Sequence, residues 1–310
     1  MFCHRVVGGL LFGWVIACTF AQTKQIAMET VDTYKQELLS RLNDAGLQNS
    51  VLADGLYGCS TASELLNVLR MNMTQWVLYF QVTGAELEKV FSQERLRQEG
   101  IYTGDMAVTV DEAYSFYAFG RASVTQKGDY CTGHFYEQSC GEIMDGKGRF
   151  YQQARGKAYE DSLIFAHQET TVIAYDQAQL TLMDRAKGTL YQQGSGIATG
   201  HATLYCHDNS YGFLTGHSFG WFLHNSVGQC EGNSQFLARH ATDVEAYGQS
   251  TGYGREKATV SLADKAKLYL SPDFEGTIHQ SNRMPIEPMS QEMLALYVEN
   301  TVSRKQGLGR

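Results

Sequence analysis

Two of the nine histidines in this chain lie in identical tripeptides, Thr199-Gly200-His201 and Thr215-Gly216-His217, sixteen residues apart. Imidazoles brought together at such a spacing are ligands for transition metals. A second set, His207, Asp208, His224 and His240, recurs at a similar interval and offers the same chemistry. Carboxylates follow the beat as well: Asp129, Asp145 and Asp161 are sixteen apart, with Glu160 and Asp176 at neighbouring positions. Stacked carboxylates repel unless a cation such as Ca²⁺ neutralises them, and a solvated acidic edge is the plainer alternative. A third constellation is aromatic. Tyr205, Trp221, Leu237, Tyr253 and Tyr269 keep the sixteen-residue interval, with Phe219 beside them, and suit sugar rings or a protein partner. No nucleophile is paired with a base, so no catalytic residue is assigned.

Groups spaced this evenly need an evenly repeating scaffold. Cut every eight residues from Gly146, the sequence gives sixteen consecutive octads, from GKGRFYQQ and ARGKAYED to ATVSLADK and AKLYLSPD. Position 1 is always Gly, Ala, Ser or Thr, position 3 is Gly, aliphatic or Phe, and position 5 is apolar or Gly. Positions 1, 3 and 5 share one face of a strand, and positions 6 to 8 carry turn residues. Each octad is therefore one short strand and one corner, and a chain of them is a β-solenoid. Like residues stack at the coil period. Gly200, Gly216, Gly232 and Gly248 recur at sixteen, as do Tyr159, Tyr175, Tyr191 and His207. Two octads thus make one coil with two sheets, a glycine corner and a polar corner. His201 and His217 fall on the former, and His207, Asp208, His224 and His240 on the latter. Half of the sixteen position-3 residues are Gly, so the core is thin and must balance large against small residues.

The rest of the chain follows other rules. Residues 1–21, MFCHRVVGGLLFGWVIACTFA, read as an export signal with a basic start and a short apolar run. Cleavage after Ala21 or lipidation at Cys18 are both open, and a lipid on Cys18 is the one route to membrane attachment. Residues 22–105 form a small helical domain, with a helix from Ile26 to Leu42, a second begun by Ser60 or Thr61, and a third over 85–99. Residues 106–281 are the solenoid, with a looser pattern around 130–145. Residues 282–310 carry a C-terminal helix from Ser290 to Arg304, marked by Met293, Leu294, Tyr297 and Val298, expected to cap the rod. A net charge of −8 with 19% charged residues argues against nucleic acid. Past the leader, five cysteines with no CxxC spacing indicate buried thiols rather than a disulfide framework or zinc site.

The octads TTVIAYDQ (170–177), TDVEAYGQ (242–249) and ATVSLADK (258–265) resemble the A-x-V-x-A-[aromatic]-[Asp/Gly]-x repeats of uncharacterised bacterial octapeptide-repeat proteins. The resemblance spans 114–281 and implies a β-solenoid without a known active site. The expected fold is mainly β: a two-sheeted solenoid of sixteen residues per coil between a helical domain and a terminal helix. The expected function is a non-enzymatic, extracytoplasmic structural or adhesive protein. Its aromatic face (Tyr205, Phe219, Trp221, Tyr253, Tyr269) would bind a glycan or protein, or a second copy of the chain, with no cofactor beyond a cation at the polar corner. A carbohydrate-active β-helix enzyme and an ice- or surface-binding solenoid are the alternatives. An octad run without insertions from 146 to 273 leaves little chain to wall a substrate cleft, and Thr171, Thr189, Thr203 and Thr251 form no single array.

Overall fold

The computed structural model describes residues 30–111 and 115–290. The leader, and the C-terminal helix expected beyond Ser290, lie outside the described residues. Two compact units divide between Gly104 and Asp105.

The first unit holds six helices among the described residues. Helix α1 (30–44) buries Tyr34, Leu38 and Leu42 at four-residue steps. It ends where Gly46 takes a left-handed φ of 71°. Gly46 N–H donates to Asn43 O and Leu47 N–H to Leu42 O, a Schellman closure that satisfies the last carbonyls. Helices α2 (Val51–Tyr57) and α3 (Ala62–Met71) start at Ser50 and Thr61, and Thr61 with Glu64 forms a capping box. Helix α4 (Met73–Phe80) follows after Asn72 and buries Trp76. The single helix expected over 85–99 is two, α5 (Gly84–Val90) and α6 (Gln93–Gln98). Phe91 is extended between them, and the Ser92 side chain accepts the Arg95 N–H to restart the helix.

The second unit carries the two-sheeted β-solenoid. Among the described residues two parallel sheets hold twelve strands each, odd strands in one and even strands in the other. Sheet I includes Lys147–Phe150 and Leu163–Ala166; sheet II includes Arg155–Ala158 and Thr171–Ala174. The register step is sixteen residues, as in Thr171↔Lys187 and Gln179↔Ser195. Two departures occur near the loose stretch of sequence. Ser123 pairs with Cys140 at seventeen, and Cys140 with Arg155 at fifteen, so one extra residue is repaid in the next coil. Gln126, fully buried, donates from Nε2 to the carbonyls of Cys131 and Asp145 at 2.9 Å each and ties the two irregular corners together. A last step of eighteen joins Thr259 to Thr277.

Positions 1, 3 and 5 face inward as the octad requires: Ala154, Ala158, Ser162, Ile164 and Ala166 are fully buried. Glycines make room for large residues from other strands. A Cβ on Gly228 would lie 2.5 Å from the Phe222 ring, and one on Gly252 would lie 2.1 Å from that of Phe236. Size compensation therefore works between strands, across the core at Gly228 and Phe222 and within one sheet at Gly252 and Phe236.

Candidate binding surface

Sheet II places the sequence-predicted aromatic residues in one outward column. The register pairs Tyr205 with Trp221, Trp221 with Leu237, Leu237 with Tyr253, and Tyr253 with Tyr269. Each strand alternates buried and part-exposed residues, because successive side chains take opposite sides of the sheet. Phe219 meets Trp221 edge-on at 5.9 Å. Tyr253 and Tyr269 stack at 5.6 Å, and Tyr205 lies tilted on Trp221 at 6.0 Å. Leu237 fills the middle of the column and is only 2% exposed. Only Tyr253 and Tyr269 in this column stack face to face. Sheet I adds a smaller apolar patch in the same coils, where Ile197, Tyr211 and Val227 are each more than 40% exposed. Tyr211 and Phe213 follow from the octad pattern; Ile197 and Val227 become apparent only with the sheet in place.

The corners use one backbone device throughout. Position 7 has positive φ in corner after corner, from Gln152 (60°) and Glu160 (51°) to His240 (64°) and Asp264 (53°), and at Gly200, Gly216, Gly232 and Gly248. Outside glycine this conformation costs about 1 kcal/mol. The side chain offsets that cost by reaching back one coil. Gln168 Oε1 accepts the Gln152 N–H at 2.5 Å, and Asp184 Oδ2 accepts the Gln168 N–H at 3.1 Å. On the other corner Asp176 takes the Glu160 N–H (3.3 Å), Gln192 the Asp176 N–H (2.5 Å) and Asp208 the Gln192 N–H (3.1 Å). A carbonyl, a carboxylate or an unprotonated imidazole nitrogen all serve, which explains why Gln, Asp, Glu and His share this position.

Three of the candidate metal ligands, Asp176, Asp208 and His240, make that hook. Asp176 and Asp208 already accept backbone N–H groups, and Asp145 Oδ1 accepts the Gly146 N–H at 2.6 Å. At this corner the step changes from fifteen, Ile143 with Ala158, to sixteen, Lys147 with Leu163, and Asp145 lies where it changes. Asp129 and Asp161 are exposed. His240 Nδ1 accepts the His224 N–H at 3.4 Å, while its Nε2 lies 3.5 Å from Glu256. His224 Nδ1 is 4.0 Å from Asp208. The rings of His224 and His240 lie nearly parallel at 5.0 Å, and those of His207 and His224 are 5.7 Å apart. Burial lowers the pKa of His207 and His240, favouring neutral rings. His201 and His217 stack at 5.5 Å on the opposite corner. Among the described residues no group of three or more His, Cys, Asp or Glu is placed to hold a metal ion.

Stacked rings line both corners at position 6. Tyr159, Tyr175, Tyr191 and His207 stack at 5.1, 5.4 and 4.8 Å, as their spacing predicts. Phe119, Tyr136, Tyr151 and His167 make a matching ladder on the other corner at 5.0, 5.2 and 5.0 Å. The seventeen- and fifteen-residue steps hide that second ladder from a search at sixteen. Comparison with protein-family models, with curated proteins and with solved structures finds no match.

Proposed function

We propose that this is a non-enzymatic, exported structural or adhesive protein that uses the solenoid as a rigid support for a docking face on sheet II. The observation that carries the reading is the outward column Tyr205–Trp221–Leu237–Tyr253–Tyr269, an apolar strip on a regular sheet that needs no such residues for its core. The stacked pair Tyr253–Tyr269 favours a protein partner at that end of the column, since a pyranose stacks best on an open ring face. Export is proposed from the basic and apolar leader, with residence outside the cytoplasm following from it.

The reading is tested by immobilising the purified protein and measuring its binding to intact cell surfaces and to a polysaccharide panel, alongside Trp221→Ala and Tyr253→Ala. Loss of cell-surface binding by about tenfold in Trp221→Ala is the expected result. Binding indifferent to both substitutions removes the docking face. Retention of a single polysaccharide, abolished by Trp221→Ala, makes the ligand a glycan. Turnover of a polysaccharide that fails in His224→Ala overturns the non-enzymatic reading.

A further inference from the structure

The outward positions of the two sheets carry opposite charge. In sheet II the strands from Arg155–Ala158 to Lys267–Leu270 turn out Arg155, Lys157, Lys187 and Lys267, all exposed, and no carboxylate. In sheet I the strands from Leu163–Ala166 to Thr259–Leu262 turn out Asp243 and Glu245, both exposed, and no cation. Among the described residues these cations and Asp243 enter no ion pair within the chain. Both faces are also apolar in part. Sheet II has the aromatic column, and sheet I has Phe165 and Phe213 along with exposed Ile197, Tyr211 and Val227. A face with cations and no carboxylate repels its own copy and complements a face of the other kind.

The registers agree as well, since both sheets share one strand spacing of about 4.8 Å. A half-turn of a second copy about the normal to the sheets sets its sheet I over sheet II of the first. The rods are then antiparallel and position 4 faces position 4. With Phe213 placed on Trp221, Tyr211 meets Phe219, Ile197 meets Leu237, Phe165 meets Tyr269 and Asp243 meets Lys187. We propose that the occupant of sheet II is sheet I of a second copy of this chain, laid antiparallel so that Asp243 of one copy faces Lys187 of the next. This rests on the reading of sheet II as the docking surface. The two sheets lie on opposite sides of the solenoid, so each contact leaves one sheet of either kind uncovered and the assembly is open-ended.

Sedimentation velocity on the purified full chain reads the assembly, and the parent is expected to grow past a dimer as its concentration rises. Lys187→Glu and Asp243→Lys each set like charges opposite one another and are expected to weaken growth about tenfold. An equimolar mixture of the two variants restores growth, because each new charge finds its opposite on the other chain, and the recovery shows that both are folded. A mixture that does not recover overturns the proposal. So does recovery with Lys267→Glu in place of Lys187→Glu, which makes the rods parallel. A dimer that stops at two and dissolves only in Trp221→Ala overturns it in favour of sheet II against itself. A monomer that binds phosphatidylglycerol vesicles through Trp221 overturns it by making an anionic membrane the occupant. Cell-surface binding is measured on the same proteins. A monomer whose binding is still lost in Trp221→Ala rejects self-assembly and keeps the docking face. Growth that follows the charge exchanges and ignores Trp221→Ala keeps self-assembly and rejects the aromatic column as the docking face.

Discussion

One corner of the solenoid is built in two ways. Upstream, Glu137, Gln152, Gln168 and Asp184 hold position 7 at φ values of 58–60°; downstream, Gly200, Gly216, Gly232 and Gly248 hold it at 64–69°. The backbone is the same and the chemistry differs. The upstream residues accept the cost of a left-handed conformation and offset it with a hydrogen bond to the preceding coil. The glycines avoid the cost and forgo the bond, so a corner can be either hooked or relaxed at similar free energy. Where Asp264 follows Gly248, the hook returns and takes the Gly248 N–H at 3.1 Å. Glycine inside the rod answers a different need, space beside a large neighbour, and substitutions separate the two roles.

The largest effect is expected where glycine makes space. Gly252→Ala drives a methyl into the Phe236 ring and is expected to cost on the order of 3 kcal/mol in urea denaturation. Gly216→Ala, which must hold a φ of 69° and sets its Cβ 3.3 Å from Gly200 N, is expected to cost about 1 kcal/mol. Gly216→Gln gains a hook onto the Gly200 N–H and is expected to fall within about 0.5 kcal/mol of the parent. If it is as damaging as Gly216→Ala, the hook carries no stability. The reverse exchange sharpens the same point: Gln168→Ala should lose about 1 kcal/mol, whereas Gln168→Gly should lose little because relief of φ offsets the missing bond. Equal losses in the two would leave backbone relief without a role.

The smallest effect is one of pH. Burial holds the His240 imidazole below its ordinary pKa, and its Nδ1 can accept the His224 N–H only when unprotonated. The folded-state value lies below the unfolded one, so this stability is complete above the ordinary histidine pKa. It is lost as the pH falls through that value towards the lower folded one. The urea midpoint should drop over that interval in the parent and stay flatter in His240→Gln, and identical pH profiles would show that the imidazole hook is dispensable.

Residue periodicity made the coil length, the inward triad and the aromatic column legible, because identical chemistry stacks wherever the step is sixteen. The ladder of Phe119, Tyr136, Tyr151 and His167 escaped because one added residue and one missing residue shift its members off that step. The acidic edge was visible as residues and opaque as chemistry. Which atom a carboxylate faces depends on a backbone N–H one coil earlier, and nothing in the local sequence marks that donor. In the helical unit the break at Phe91 hinged on whether Ser92 would cap a new helix or ride inside a long one, and the apolar spacing on either side is compatible with both.

The hooks all point one way: the later coil supplies the acceptor and the earlier coil the donor. The rod accordingly has a polarity that its nearly symmetrical cross-section conceals. A chain that emerges amino-terminus first builds each coil as the clasp for the one before it, so assembly tightens behind its growing end. Loss of coils from the front leaves the new first coil with an acceptor and no donor, whereas a cut within the hooked stretch leaves the newest coil with a donor and no acceptor.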